Sequence, residues 1–253
     1  MSGFFYDLGR RLGRAAVPAI RKSRWIWDGL VGSEEESLRA EQAMGSALAA
    51  ELRTATEPAN DPETAQRVND LCRRLAAGVI GPRRAFHCEL IHADFPNAMA
   101  LPGGFIFISR SLVDLCEARP DELAFVIGHE MAHIIRGHAW DRMLNQAALR
   151  AASVIATRAG PGSVWLRQQG VQLLQSAHAR KCELEADELG LRLAASAGFR
   201  PPGAIALLQR IDRLGPNPTA LGQYIASHPP ASDRVARLMP LCQQLSVNAI
   251  SGT

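Results

Sequence analysis

Lysine is scarce in this sequence of 253 residues: Lys22 and Lys181 are the only two, so nearly all of the 28 basic residues are arginines. Against 25 acidic residues they leave a formal net charge of only +3. No nucleic-acid-binding motif and no interleaving of aromatic with basic residues accompanies this small surplus. The composition therefore argues against a nucleic-acid-binding protein, and we expect no nucleic-acid partner.

Cysteine is also sparse, and the five that occur follow no pattern. None belongs to a C-x-x-C pair, and they are scattered along the chain as Cys72, Cys88, Cys116, Cys182 and Cys242. An odd, widely spaced set indicates neither a disulfide framework nor a zinc site made of cysteines. The sequence predicts free, buried thiols in a reducing compartment.

Long apolar runs are missing as well. No stretch predicts a transmembrane helix, and the N-terminus has no uninterrupted apolar segment of the kind found in secretory signals. We therefore expect a cytoplasmic location. Residues 1–32 alternate apolar side chains with arginines, and such a basic amphipathic arm can lie on an anionic membrane surface, here through residues 1–30. Alternatively, the arm packs on the domain or covers its cleft, and we favour this interpretation over membrane contact.

The most informative stretch runs from Pro120 to His138 and predicts a buried helix. Proline suits a first helical position, and the residues from Leu123 to Ile135 are apolar almost all round. Within it, His129 and His133 are four residues apart and share one helix face, where both imidazoles can bind one ion. Glu130 is rotated off that face. This H-E-x-x-H pattern is typical of zinc proteases, in which the glutamate is the base that takes a proton from water.

A catalytic zinc site needs a third protein ligand and an open position. His138 lies nearby, but its spacing from His133 does not match the known three-histidine pattern, so we interpret it as structural. Glu183, in the helical segment Glu-Leu-Glu-Ala-Asp, is the better candidate. Asp187 lies one turn further along the same face and is placed to accept the outer N–H of a metal-bound histidine.

Together these motifs resemble the gluzincin zinc metallopeptidases of the HtpX, CAAX prenyl protease, BepA and mitochondrial Oma type. Asn97–Ile106 resembles the family's N-A-F-A-L-P-G-G segment, with Met99 in place of phenylalanine, and the segment 228–234 resembles its H-P-x-x-x-x-R segment. The likeness extends from about residue 35 to about residue 241. It is closest to the BepA- and Oma-type catalytic domains, because the other branches carry transmembrane helices.

The resemblance implies a zinc metalloendopeptidase with one Zn²⁺ per chain, acting in protein quality control on unfolded or extended peptides. It places His228 and Arg234 as catalytic residues near the negative charge of the reacting carbonyl. For His228 it also implies an alternative, in which the imidazole occupies the fourth zinc position and holds the enzyme latent. It also implies a substrate-binding segment, since glycines allow close backbone approach and an edge strand can pair with a peptide. The residues of that segment are Asn97, Ala100, Leu101, Pro102, Gly103, Gly104 and Phe105.

Two other functions are alternatives to peptidase activity. One is a catalytically latent, chaperone-like peptide binder, which an intact Glu130 argues against. The other is a membrane-surface protein with a purely structural zinc, whereas three ligands beside a glutamate fit an open catalytic site better.

The fold class expected from these elements is α+β. We predict a predominantly helical, zincin-like metalloprotease domain with a small sheet whose edge strand flanks the active-site helix. Residues 85–92 and 105–108 are the predicted strands, and the second is the predicted edge. The expected organisation is an N-terminal arm (1–32), a peptidase domain (33–246) and a C-terminal tail (247–253).

Overall fold

The computed structural model describes the backbone of residues 33–79, 85–116, 119–141, 161–214 and 231–251. Side chains are described for these residues except 161–178, 214 and 248–251. The predicted N-terminal arm lies outside the described residues. Among those described, no helix is both long and apolar enough to cross a lipid bilayer.

Two helices precede the sheet, and both begin at sequence-encoded caps. Helix α1 spans Glu34–Ala55, where Ser33 and Glu36 form a reciprocal capping box. Helix α2 spans Pro62–Ala76, and the Asp61 carboxylate accepts from the backbone N–H of Thr64. Each cap satisfies backbone donors that have no partner inside the helix.

The sheet has three strands in the order β1-β3-β2. They are β1 (His87–Ile91), β2 (Ala98–Leu101) and β3 (Phe105–Ser109), with a 3-10 turn at Pro102–Gly104. Strand β1 runs parallel to β3, and β2 runs antiparallel to it. The small sheet and the helical majority confirm the predicted α+β class.

The prediction that residues 105–108 form the edge strand is wrong, because β3 is the central strand. All five of its residues are buried. Ile106 and Ile108 face the main core, whereas Phe105 and Phe107 pack with α1 residues on the opposite face. A strand buried on both faces appears as a continuous apolar run, as Phe-Ile-Phe-Ile does here. The edge strand that packs beside the active-site helix is β2.

The remaining helices enclose the main core on one side of the sheet. They are α3 (Arg110–Cys116), α4 (Pro120–Ile135), α5 (Pro161–Ser196), α6 (Pro202–Leu214) and α7 (Ala231–Ser251). Helix α4 lies between the sheet and α5, and contacts α6 as well. Helix α7 continues to Ser251, so most of the predicted tail is helical.

The five cysteines are free and buried, as predicted. Burial raises the pKa of the Cys116 thiol to about 12, which keeps it protonated and unreactive at neutral pH.

Candidate metal centre

Helix α4 carries the two histidines through the centre of the molecule. Every residue from Glu122 to Ile134 is buried, including His129, Glu130 and His133. The helix is apolar all round, and it is covered by the sheet on one side and by α5 and α6 on others. The histidines therefore lie in a site largely withdrawn from bulk water.

His129, His133 and Glu183 converge on one point. The Nε2 atoms of the two histidines are 3.1 Å apart, and the Glu183 carboxylate oxygens lie 3.5 Å from the first and 3.3 Å from the second. Among the described residues, these three form a group able to hold a metal ion. The structure thus brings together, from α4 and α5, the three ligands proposed from the sequence.

The spacing of these atoms fits a tetrahedral metal ion. Bonds of about 2.0–2.1 Å place two ligand atoms of a tetrahedral zinc roughly 3.3–3.4 Å apart. Two imidazole nitrogens and a carboxylate also match the ligand set of catalytic zinc sites.

Glu130 provides a second observation in favour of a metal site. It is only 4% exposed, and its Oε1 atom has no hydrogen-bond partner among the described residues. An unpaired buried carboxylate oxygen is costly, so it indicates an absent partner such as a water molecule or a substrate.

Asp187 lies behind His129 and orients it. Its Oδ1 is 2.9 Å from His129 Nδ1, so the ring donates its outer N–H to the carboxylate and turns its Nε2 atom toward Glu183 and His133. Burial alone would lower the pKa of His129, but its hydrogen bonds to Asp187 and Glu183 raise that pKa to about 9. The site therefore favours a positive charge at this position.

Arg234 holds Asp187 in place. Its Nε donates to Asp187 Oδ2 at 2.7 Å and its Nη2 to Oδ1 at 2.6 Å, and both side chains are buried. Burial would raise the pKa of Asp187, but Arg234 and His129 lower it to about 2. The resemblance had placed Arg234 near the reacting carbonyl, whereas the structure joins it to the histidine through Asp187. His228, the other predicted catalytic residue, lies outside the described residues.

The predicted substrate segment divides into two parts. Asn97 and Ala100 lie at or in the edge strand β2, where both are partly exposed. The other members are buried: Leu101, Pro102, Gly103, Gly104 and Phe105. This second part packs against the rest of the domain instead of facing an open groove.

The turn Pro102–Gly104 shows why its glycines are required. A Cβ on Gly45 of α1 would lie 1.8 Å from the carbonyl oxygen of Pro102, so helix and turn are in direct backbone contact. Gly103 has φ 79° and donates its N–H to Glu41 at 3.1 Å. Gly45 and Gly103 thus allow the turn and α1 to pack closely, and Gly104 allows close approach of the backbone at Ala85. The sequence interpretation instead assigned the glycines of the turn to close approach of a substrate backbone.

Sequence reasoning missed one close backbone contact beside the site, between Gly128 and Gly190. A glycine inside a helix costs about 1 kcal/mol relative to alanine. Gly128 is next to His129, and Gly190 is three residues after Asp187. A costly helical glycine beside a proposed site residue is a signal that two helices approach closely there.

Comparison with known proteins agrees with this site. The model of peptidase family M48 matches residues 62–241. The chain is 27% identical over 215 residues to the beta-barrel assembly-enhancing protease of Yersinia pestis, covering 79% of this chain and 43% of that protein. It is 30% identical over 154 residues to the mitochondrial metalloendopeptidase OMA1 of Schizosaccharomyces pombe, covering 59% of this chain and 44% of that one. The chain thus spans less than half the length of these relatives.

Proposed function

This chain belongs to peptidase family M48, and we propose that it is a zinc-dependent metalloendopeptidase that cleaves unfolded or extended polypeptides. The observation that carries the proposal is the convergence of His129, His133 and Glu183 beside the unpartnered Oε1 atom of Glu130. A purely structural site has no use for such a carboxylate, whereas hydrolysis requires a base at this position.

His129, His133 and Glu183 would hold the zinc ion. When bound, zinc supplies Lewis acidity, which polarises a substrate carbonyl and makes water more acidic. Glu130 takes the proton from the attacking water through its free oxygen and then gives it to the leaving amine. Asp187 keeps the His129 ring in the tautomer that presents Nε2 to the site, and Arg234 keeps Asp187 ionised.

The substrate would bind along the outer edge of β2. Ser109 donates to the carbonyl of Asn97 at 2.9 Å, which makes this a hydrogen-bonded pair of the antiparallel ladder. Pairs alternate along such a ladder, so the backbone groups of Ala98 and Ala100 point away from β3. An extended peptide can pair with those outward groups by strand addition.

Protein quality control is the role that we propose for this activity. The support is the likeness to the two relatives, whose names describe a protease that enhances beta-barrel assembly and a mitochondrial metalloendopeptidase. Peptide binding at a strand edge selects extended backbone rather than one sequence, which suits unfolded substrates.

Metal content and casein hydrolysis of the purified chain and of Glu130→Gln test the proposal. Both proteins should bind one zinc ion per chain, and hydrolysis should fall by about 10²–10⁴-fold in the variant, because only the base is removed. Glu188→Gln is a matched control, since Glu188 lies on α5 but pairs with the exposed Arg237. A variant that loses its metal together with its activity would show that Glu130 is a ligand. Zinc binding without hydrolysis in the parent chain would indicate a peptide binder.

A further inference from the structure

His133 has a second neighbour, His138, which occupies the side of its ring opposite Glu183. The Nδ1 atoms of the two histidines are 3.1 Å apart, and their rings meet edge to face. Gly137, with φ 73°, ends α4 in the left-handed conformation and turns the chain back. This turn brings His138 against a histidine of the preceding helix.

His138 is in turn bonded to a carboxylate of α5. Its Nε2 lies 3.3 Å from Glu185 Oε2, and His138 is 6% exposed while the Glu185 side chain is 41% exposed. The two ring nitrogens of His138 therefore face the outer nitrogen of His133 and the Glu185 carboxylate, and neither faces the Nε2 atom that His133 presents to Glu183. This geometry agrees with the sequence interpretation that His138 is not a ligand.

The directions of these bonds follow from the chemistry of the groups. An ionised carboxylate only accepts, so His138 must donate to Glu185 through Nε2–H. The neutral ring then has a lone pair at Nδ1, which accepts the Nδ1–H of His133. A histidine protonated at Nδ1 has its lone pair at Nε2, and that atom of His133 lies 3.3 Å from Glu183. The opposite tautomer of His133 would place two lone pairs against each other at 3.1 Å.

We propose that His138 and Glu185 are a positioning pair that fixes the tautomer and orientation of His133. The inference rests on the metal site proposed above. In this arrangement each of the two histidine ligands has its own outer partner. Asp187 orients His129, and the His138–Glu185 pair orients His133. Outer partners of this kind typically contribute about 10–100-fold in metal affinity.

Histidine tautomers in the metal-free chain provide a test that needs neither zinc nor activity. With ¹⁵N-labelled histidine, ¹H–¹⁵N spectra at a pH above the histidine titrations distinguish Nδ1–H from Nε2–H rings, and His133→Gln assigns the signal. We expect His133 to be the Nδ1–H tautomer in the parent. His138→Leu should shift it to Nε2–H, and His138→Gln, whose amide oxygen can accept, should restore it.

Zinc affinity, measured by competition with a chromophoric chelator, provides the second readout. His138→Leu should bind zinc about 10–100-fold more weakly, and His138→Gln should recover most of that loss. If His138→Leu fails to fold, Glu185→Ala replaces it, with a smaller expected loss because water can reach its half-exposed position. An unchanged tautomer or unchanged affinity in these variants would overturn the positioning role. A parent chain that binds no zinc would instead refute the proposed function. The comparison of tautomers in the metal-free chain would still decide whether His138 and Glu185 position His133.

Discussion

Gly128 and Gly190 are in backbone contact where helices α4 and α5 cross. A Cβ on Gly128 would lie 2.7 Å from the carbonyl oxygen of Gly190, and a Cβ on Gly190 would lie 2.7 Å from the backbone nitrogen of His129. The contact is one residue from the first histidine ligand on α4 and three residues from Asp187 on α5. Because neither Gly128 nor Gly190 has a side chain, α4 and α5 can approach closely here. We expect this close approach to set the distance of Glu183 and Asp187 from His129.

Gly190→Ala should weaken the metal site without changing any ligand. The new methyl group meets backbone atoms that cannot rotate away, so the helices must separate, at a cost of about 1–3 kcal/mol in the free energy of unfolding. Zinc affinity should fall at the same time, as measured by chelator competition. Gly78→Ala is the control, because the atom nearest to its Cβ would be the hydroxyl oxygen of Ser196 at 2.6 Å, on a side chain that can move, while the nearest backbone atom would be at an ordinary 3.5 Å. Unchanged zinc affinity in Gly190→Ala would show that the crossing does not position the ligands.

Arg234→Met should destabilise the fold and weaken zinc binding together. Removing the arginine leaves Asp187 as a buried charge without its bidentate partner, which typically costs about 3–5 kcal/mol. Urea unfolding of the metal-free chain measures that cost. Arg237→Met is the control on the same helix, since this exposed arginine pairs with Glu188 at the surface and should contribute at most about 1 kcal/mol. Equal effects of the two substitutions would contradict the role of Arg234 as the support of Asp187.

The low pKa of Asp187 predicts a loss of stability in acid. Its pKa is about 2 in the folded chain against 3.8 ordinarily, so the folded state binds the proton more weakly than the unfolded state. The stabilisation is complete above pH 3.8 and is lost as the pH falls through about 2. It amounts to roughly 2 kcal/mol. The difference in unfolding free energy between the metal-free parent and Asp187→Asn should therefore shrink between pH 5 and pH 2. A difference that stays constant over this range would be inconsistent with a depressed pKa.

Ala100→Pro tests whether substrate pairs with the edge of β2. The N–H of Ala100 points away from β3, so proline there removes an outward donor and leaves the ladder to β3 intact. Casein hydrolysis should fall by at least about tenfold while the circular dichroism spectrum and zinc content remain those of the parent. Ile106→Pro gives the contrast: it breaks the central strand at a fully buried residue and should prevent folding. Normal hydrolysis by a folded Ala100→Pro chain would refute strand addition at this edge.

Local signals in the sequence were sufficient for much of this protein. The starts of α1 and α2 depend on the capping residues Ser33 and Asp61, which are local signals because a cap involves atoms within one turn. The spacing of His129 and His133 likewise determined that both rings share a face, since the helical period alone sets it. Glu183 and Asp187 followed from the same period on a second helix.

Only the tertiary structure decided how those segments meet. The apolar sequence of β3 indicates that the strand is buried, but it does not indicate which strands lie on either side. The central position of β3 results from its pairing with β1 on one side and with the short, alanine-rich β2 on the other. Arg234 reaches Asp187 across 47 positions of sequence, and His138 reaches Glu185 across the same number. Hydrogen bonds of this range depend on how α4, α5 and α7 pack. That packing is set by close contacts such as Gly128 with Gly190, which no local pattern encodes.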